Sequence, residues 1–143
     1  LGPDGLSGKV TLRFLQKQLA STQRPMKLFL LDQQRIAGIG NIYACEILFE
    51  AGIHPELPAD SVAPDQVRNL KAAIRKILNR AIKLSGTTMR DFRTGTGGYG
   101  GYQNEFRVYG REGKPCPRCQ TSIVKIRLGN RGTYFCPRCQ PQP

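Results

Sequence analysis

Apolar residues recur at helical spacing in three short segments of the chain. Thr11 precedes LRFLQKQLA, whose leucines fall on one face, so Thr11 is expected to cap a short amphipathic helix. MKLFLLDQQ predicts a second helix, which ends before RIAGIGN because that stretch is too rich in glycine to stay helical. NIYACEILFEAG predicts a third helix, with Asn41 as its N-cap and Gly52 at its end.

The longest helical pattern lies in PDQVRNLKAAIRKILNRAIKLSG. Pro64 suits the first helical position and Gly86 suits the end. The opposite side of this helix carries arginines and lysines, which predicts a solvated face. The apolar positions that follow the i, i+3, i+4, i+7 pattern are Val67, Leu70, Ala73, Ile74, Ile77, Leu78, Ala81 and Ile82.

The pattern changes after residue 92. RTGTGGYGGYQN holds five glycines in twelve residues, which predicts a mobile loop over 93–105. From Phe106 the segments FRVYG, SIVKIRL and TYF are β-like and are separated by Gly, Asn and Pro. The predicted fold class is therefore mainly α plus small β. A helical domain over 1–92 begins with a linker over 1–10, and a β module follows over 106–143.

Composition adds a strong positive charge to this picture. Lys and Arg number 22 against 10 Asp and Glu, a formal net charge of +12, which favours a polyanionic partner. No run of about 18 apolar residues occurs, so no membrane segment is expected. The start LGPDGLSGKV has neither an initiator Met nor the basic and apolar regions of a signal peptide, so we expect a fragment or a processed product.

Four of the five cysteines follow the spacing C-x2-C-x16-C-x2-C. Cys116, Cys119, Cys136 and Cys139 can point four thiolates at one centre, which suits a tetrahedral Zn²⁺. The alternatives are a pair of disulfides or redox CxxC sites. Zinc is favoured because a module of about thirty residues cannot build a sufficient core alone. Cys45 lies in the middle of a predicted helix and is interpreted as a buried structural thiol.

Two further features suit an anionic ligand, and each has a plain alternative. NRGTYF places Arg131 at an expected hairpin turn, where its guanidinium can fork onto phosphate oxygens or be an ordinary surface arginine. AGIGN precedes a helix, so its backbone N–H groups can meet a phosphate. Alternatively, Asn41 only caps and the glycines only form the bend.

This combination of features resembles the C-terminal half of bacterial formamidopyrimidine-DNA glycosylase. The stretches that carry the resemblance are LGPDGLS, KLFLLDQQRIAGIGNIYACEILFEAGIHP, SGTTMRDF, GYQNEFRVYGREGKPCPRC and NRGTYFCPRCQ. They cover nearly the whole chain in the family's order. The sister family, endonuclease VIII, shares the architecture, but TTMRDF and VYGREGKPC are closer to the formamidopyrimidine enzyme.

The resemblance implies a helix–two-turn–helix DNA-binding domain followed by a β-hairpin zinc finger with one structural Zn²⁺. The implied partner is double-stranded DNA, especially lesion-containing or abasic DNA. The implied parent protein is a base-excision glycosylase and abasic-site lyase that removes oxidised purines such as 8-oxoguanine and formamidopyrimidines. A monomer in the bacterial cytoplasm, associated with the nucleoid, is expected.

The resemblance also implies roles for individual residues. Lys27, Asn41 and the amides around Gly40 would hold phosphates beside the lesion. Arg131 would grip the phosphates that flank the extruded nucleotide and assist the late elimination step, by electrostatic stabilisation because an arginine side chain stays protonated in proteins. The family commonly has a basic residue at Gln23, and the adjacent Arg24 is a further candidate. The residues implied in the loop over the flipped base are Arg90, Gly98, Tyr99, Gly100, Gly101 and Tyr102.

The family's nucleophile is the secondary amine of an N-terminal proline, next to a glutamate, in a β-sandwich domain. LGPDGLS aligns instead with the inter-domain hinge, and the nitrogen of Pro3 is tied up in a peptide bond. We therefore expect that domain to be absent and these residues to bind DNA without base excision. The alternative function is a plain zinc-ribbon nucleic-acid-binding module with no repair role, which should be indifferent to lesions.

Overall fold

The computed structural model describes the backbone of residues 1–94 and 106–143, and the side chains of 1–84 and 106–143. The fold is mainly α with one small antiparallel sheet, as the sequence predicts. The elements in chain order are α1 (Leu12–Ala20), α2 (Met26–Leu31), α3 (Asn41–Ala51), a short 3-10 turn (Ala59–Ser61), α4 (Pro64–Thr94), β1 (Val124–Leu128) and β2 (Arg131–Phe135).

The four helices share one hydrophobic core, and their ends follow the local chemistry of the sequence. The Thr11 hydroxyl accepts a hydrogen bond from the Phe14 amide at 3.1 Å, which confirms the predicted cap of α1. Gly52 ends α3 with a φ of 73°, a conformation that glycine adopts at little cost. Fully buried side chains that fill the core include Leu15, Phe29, Leu30, Ile47, Leu70 and Ile74.

The prediction that Asn41 caps α3 is wrong. Gly40 occupies the N-cap position with extended backbone, and Asn41 is the first helical residue. The Asn41 amide instead donates to the Gly132 carbonyl at 3.1 Å, a contact across 91 residues that local patterning does not show.

Helix α4 differs from its prediction at its C-terminal end. Ile82 is 65% exposed, because the core-facing stripe of buried side chains ends at Leu78. Gly86 does not end the helix, which continues to Thr94. One interior glycine costs only about 1 kcal/mol relative to alanine, and the next proline along the chain is Pro115. Residues 93 and 94 of the predicted loop therefore belong to α4.

Residues 1–10, predicted as a linker, pack along the helical core. The Gly2 amide donates to Gln33 O at 2.8 Å, and the Ala37 amide donates to Pro3 O at 2.9 Å. A Cβ at Gly5 would lie 2.5 Å from Leu78 Cδ1, so a larger residue there would force the Leu78 side chain to move. Backbone hydrogen bonds and packing against α4 therefore both hold this segment on the helical core.

The C-terminal module contains one hairpin, and its register corrects two expectations. The segment 106–110, expected to be β-like, forms turns because its amides bind a carboxylate on α3 instead of a strand. Gly129 and Asn130, with φ of 55° and 63°, form the hairpin turn. Arg131 is therefore the first residue of β2, paired with Leu128, and does not lie at the turn tip.

A second hydrophobic core joins this module to α3. Its buried members are Cys45, Phe49, Val108, Cys116, Ile123, Tyr134 and Cys136. The turn of the hairpin also contacts α2, since a Cβ at Gly129 would lie 2.7 Å from Leu28 Cδ2. Across the described residues, no helix combines the length and the apolar character needed to cross a bilayer.

Candidate nucleic-acid interface and metal centre

The four predicted metal ligands converge on one point. The sulfur atoms of Cys116, Cys119, Cys136 and Cys139 all lie within 4.8 Å of one another. The pairs Cys116–Cys139 and Cys119–Cys136 are separated by 3.8 and 3.5 Å. A disulfide needs about 2.05 Å, so the disulfide alternative is excluded. Tetrahedral zinc with Zn–S of about 2.3 Å places its sulfurs about 3.8 Å apart, and the cysteines fit that geometry.

Hydrogen bonds around the sulfurs hold this arrangement in place. The amide of Arg118 donates to the Cys116 sulfur at 3.3 Å, and the amide of Cys139 donates to the Cys136 sulfur at 3.4 Å. Gln140 is fully buried, accepts from the Cys136 amide at 2.9 Å and donates to Ile53 O at 3.0 Å. Hydrogen bonds therefore hold each cysteine pair internally, and Gln140 connects the metal centre to the segment that follows α3.

Arg118, which lies inside the first CPRC pair, contacts α3. Its guanidinium donates to the Phe49 carbonyl at 3.1 Å and to the Glu50 carboxylate at 3.0 Å. It also stacks over the Phe49 ring, 4.6 Å from the centroid. The guanidinium thus fastens the metal module onto α3, and sequence spacing gives no signal of such a contact.

Glu46 is a site residue that sequence analysis missed. Its buried carboxylate accepts hydrogen bonds from the backbone amides of Arg107, Val108 and Tyr109 at 2.8, 3.0 and 2.9 Å. Three successive amides around one anion form a nest. This nest fixes residues 107–109, which precede the metal centre in the chain, onto α3.

Four predicted site residues meet at the junction of α2, α3 and the hairpin. Lys27, Gly40, Asn41 and Arg131, together with Gly132, are called the hairpin–α3 cluster below. Lys27 Nζ lies 3.5 Å from Gly132 O, and the Asn41 amide donates to the same oxygen at 3.1 Å. Arg131 is exposed beside them and has no acidic partner among the described residues. The structure therefore brings these residues together, with Gly40 and Arg131 exposed, Asn41 half-buried and Lys27 buried beneath them.

The N-terminus of α3 opens onto the same cluster. The first amides of a helix lack intrahelical acceptors and carry the positive end of the helix dipole. The N-cap Gly40 has no side chain to satisfy them, and a Cβ there would meet nothing within 4 Å. The surface at Gly40 is therefore open, positively polarised and able to receive an anion.

Lys27 is the unusual member of the cluster because it is fully buried. Its ammonium donates to Thr133 Oγ1 at 2.9 Å. Burial lowers the pKa of Lys27, and the nearby Arg131 charge lowers it further, against a raising contribution from Cys45. Burial also raises the pKa of Cys45, consistent with its interpretation as a structural thiol. Direct contact of Lys27 with a phosphate stays a prediction.

The other predicted residues lie outside the cluster. Arg24 pairs with Asp32 at 3.6 Å on the segment before α2, so its phosphate contact also stays a prediction. Arg90 lies within α4, but its side chain is outside the described residues. The loop residues Gly98, Tyr99, Gly100, Gly101 and Tyr102 also lie outside them.

Comparison with protein families finds two matches. The family described as "Formamidopyrimidine-DNA glycosylase H2TH domain" matches residues 1–93. The family described as "Zinc finger found in FPG and IleRS" matches residues 113–142. Taken with the four converging thiols, the second match identifies the metal as one structural Zn²⁺, which confirms the prediction from cysteine spacing.

Individual relatives are similar over nearly the whole chain. A formamidopyrimidine-DNA glycosylase of Chloroflexus aggregans is 50% identical over 139 residues, which are 97% of this chain and 50% of the relative. The Lactococcus lactis enzyme, solved non-covalently bound to DNA containing an AP site, is 37% identical with a TM-score of 0.85, covering 99% of this chain and 50% of that one. A MutM structure in complex with carbocyclic 8-oxo-G containing DNA is 38% identical with a TM-score of 0.86, covering 99% and 51%. The chain thus spans about half the length of the relatives it matches.

Proposed function

This chain belongs to the formamidopyrimidine-DNA glycosylase H2TH family, and on that premise we propose that it binds double-stranded DNA at damaged sites. The chain would be the DNA-binding part of a base-excision glycosylase and abasic-site lyase that removes oxidised purines. Relatives crystallised with abasic and 8-oxoguanine DNA support this proposal. The net charge of +12 supports a polyanionic partner as well.

The hairpin–α3 cluster is the observation that carries the proposal. An open helix N-terminus, a side-chain amide and an exposed arginine lie together on one surface. Each is a donor type that binds phosphate oxygens, and phosphate contacts carry no sequence information. Lys27 adds positive charge beneath this surface. The cluster therefore suits recognition of a DNA backbone geometry.

Backbone clamps are what recognition of a damaged base requires. Extruding a nucleotide from a duplex costs a few kcal/mol in lost stacking and pairing. Phosphates on both sides of the extruded nucleotide must be held to offset that cost, and an abasic site lowers it because less stacking is lost. Within the whole protein, Arg131 would also stabilise negative charge as it develops during elimination at the abasic sugar.

Replacing Arg131 tests this function. Arg131→Ala should weaken binding to a duplex with an abasic analogue by about tenfold or more, since a charge-assisted hydrogen bond is worth roughly 1.5–3 kcal/mol. It should also lower the slope of log affinity against log salt by about one unit. Fluorescence anisotropy over a series of salt concentrations measures both quantities on abasic and undamaged duplexes.

Arg13→Ala is the matched control, because Arg13 is an exposed arginine on α1, apart from the cluster. It should leave the preference for abasic DNA intact. Equal affinity of the unmodified protein for both duplexes would favour a plain nucleic-acid-binding module. An Arg131→Ala variant with an unchanged salt slope would exclude a phosphate contact at this residue.

A polypeptide of these 143 residues should have no base-excision activity of its own. The nitrogen of Pro3 lies in a peptide bond, and the nucleophilic side chains nearest the cluster, Lys27 and Cys45, are buried. Incubation with oxidised-guanine DNA and borohydride should therefore give neither strand cleavage nor a covalent adduct. A full-length family member with an N-terminal proline serves as the positive control. Robust trapping that disappears in Lys27→Met would instead identify Lys27 as a nucleophile.

A further inference from the structure

We propose that Lys27 is the positioning residue for Arg131, acting on DNA through the hairpin and not by contacting a phosphate itself. The proposal rests on the DNA-binding function proposed above and deepens it at the same site. It concerns a buried amine that lies beside the Cys45 thiol and reaches the carbonyl and hydroxyl groups of the two residues that follow Arg131.

A short relay connects the two residues. The Lys27 ammonium donates to Thr133 Oγ1 at 2.9 Å, and the Thr133 hydroxyl in turn donates to the Arg131 carbonyl at 3.2 Å. The same ammonium lies 3.5 Å from the Gly132 carbonyl. The Lys27 side chain of α2 thus holds the peptide groups on the C-terminal side of Arg131. The hydroxyl can play both parts because it accepts through a lone pair while donating its proton.

Two further contacts complete the support of this strand. Asn41 of α3 donates to Gly132 O at 3.1 Å, so that carbonyl is approached by two donors from two helices. On the other side of Arg131, the turn residue Gly129 is packed against Leu28 of α2. The backbone on both sides of Arg131 is therefore fixed to the helical domain.

Burial argues against Lys27 as a direct ligand. The residue has a relative exposure of 0%, and its donors are aimed at Gly132 and Thr133. The other group beside it is the thiol of Cys45, and no carboxylate pairs with it among the described residues. A buried amine without an acidic partner is costly for folding. Fixing the orientation of the exposed arginine would give this buried amine a function that offsets the cost.

Positioning of this kind changes affinity through Arg131 alone. An arginine on a loosely held strand must lose more conformational freedom when it binds, whereas a strand already fixed in the bound geometry avoids that loss. Removing the relay should therefore reduce the benefit of Arg131 without removing a phosphate contact of its own. Double-mutant cycles separate these two cases, because residues that act as one unit give non-additive effects.

The decisive variants are Thr133→Val and Lys27→Met, each made with and without Arg131→Ala. Thr133→Val breaks the relay but leaves the Lys27 charge and the side-chain volume in place. We expect each to weaken binding to abasic-analogue duplex by about threefold to tenfold in the Arg131 background. Thr133→Val should have no further effect when residue 131 is alanine. Combining Thr133→Val with Lys27→Met should give little more than one alone.

Two readouts distinguish positioning from other roles. Thermal unfolding and zinc content check the fold, and Lys27→Met should not lower the unfolding midpoint, because it removes a buried amine with no acidic partner. The salt slope checks direct contact. In the Arg131→Ala background, Lys27→Met should leave the slope unchanged, whereas loss of a phosphate contact would lower it by about one further unit.

The outcomes separate this proposal from the function on which it rests. If the unmodified protein binds no DNA, the proposed function itself fails and Lys27 has no arginine–phosphate contact to support. If the protein binds but the Thr133→Val and Arg131→Ala effects add, the relay does not act through Arg131 and the proposal is wrong. A further loss of salt slope in the Arg131→Ala background would make Lys27 a direct phosphate ligand.

Discussion

Removal of the metal is expected to unfold the segment 113–142 and to abolish DNA binding, while the helical core stays folded. The four cysteine sulfurs lie 3.5–3.8 Å apart in their closest pairs, a geometry that only a shared cation stabilises once the thiols ionise. The apolar side chains inside the module are few, chiefly Ile123 and Tyr134. Structural zinc contributes about 10–16 kcal/mol in small modules, far more than that packing provides.

The loss should extend to the hairpin–α3 cluster, because β2 connects the two sites. Phe135, the last residue of β2, directly precedes Cys136, and Arg131 begins the same strand. Without zinc, the carbonyl of Gly132 is no longer held in register opposite Lys27 and Asn41. Arg131 would then remain exposed but lose its fixed position, so affinity for abasic DNA should fall at least as far as in Arg131→Ala.

Metal analysis should find about one zinc per chain, and a chelator titration followed by NMR should show hairpin resonances disappearing before those of α1 and α4. Cys136→Ser should reproduce the effect of the chelator. Cys45→Ala is the matched control, since Cys45 is buried on α3 but is not among the four converging thiols. It should keep the zinc. A hairpin that persists without metal would refute the structural role.

Local chemistry in the sequence predicts a large part of this structure. The cap at Thr11, the stop at Gly52 and the start of α4 at Pro64 depend on a few neighbouring residues, and all three are confirmed. The cysteine spacing predicts the metal centre for the same reason, since each pair needs only a two-residue gap. Each of these features depends on residues that lie only a few positions apart in the sequence.

The errors arise where a distant contact replaces a local one. Asn41 has the composition of a helix cap, yet its amide is used 91 residues away on Gly132. The segment 106–110 has β-forming residues, but its amides donate to the Glu46 carboxylate and not to a neighbouring strand. Arg118 lies inside a CPRC pair and its guanidinium binds α3, a contact that cysteine spacing does not show. Propensity cannot predict contacts that exist only after two elements have docked.

These docking contacts explain how a small module can present Arg131 reproducibly. Zinc fixes the internal shape of the module, whereas Glu46, Arg118 and Gln140 fix its placement on the helical domain. Lys27 of α2 and Asn41 of α3 then hold the hairpin at Gly132. Shape and placement are therefore separate physical requirements, and the carboxylate of Glu46 is the contact whose removal affects placement most directly.

Glu46→Ala should lower the free energy of unfolding by about 3–5 kcal/mol, because hydrogen bonds to a charged group contribute roughly 1.5–3 kcal/mol each and their effects are not additive. The alanine would leave three backbone amides, at Arg107, Val108 and Tyr109, without their acceptor. Glu46→Gln should cost less, about 2 kcal/mol, since one side-chain oxygen can still accept while the amide group faces other donors.

Urea unfolding of the zinc-loaded protein measures the loss, and hydrogen exchange of the three amides locates it. Those amides should lose protection in both variants, whereas amides of α4 should lose no more protection than the global change in stability accounts for.

Glu112→Gln is the control, because Glu112 is an exposed carboxylate paired only loosely with Lys125 at 3.9 Å, and it should alter stability by less than about 0.5 kcal/mol. Unchanged exchange at Val108 in Glu46→Ala would contradict the assignment of the carboxylate as the group that protects this amide. Because Val108 and Tyr109 pack beside Tyr134 of β2, release of this nest should also weaken the support of Arg131, so DNA affinity should fall although Glu46 is not a member of the hairpin–α3 cluster.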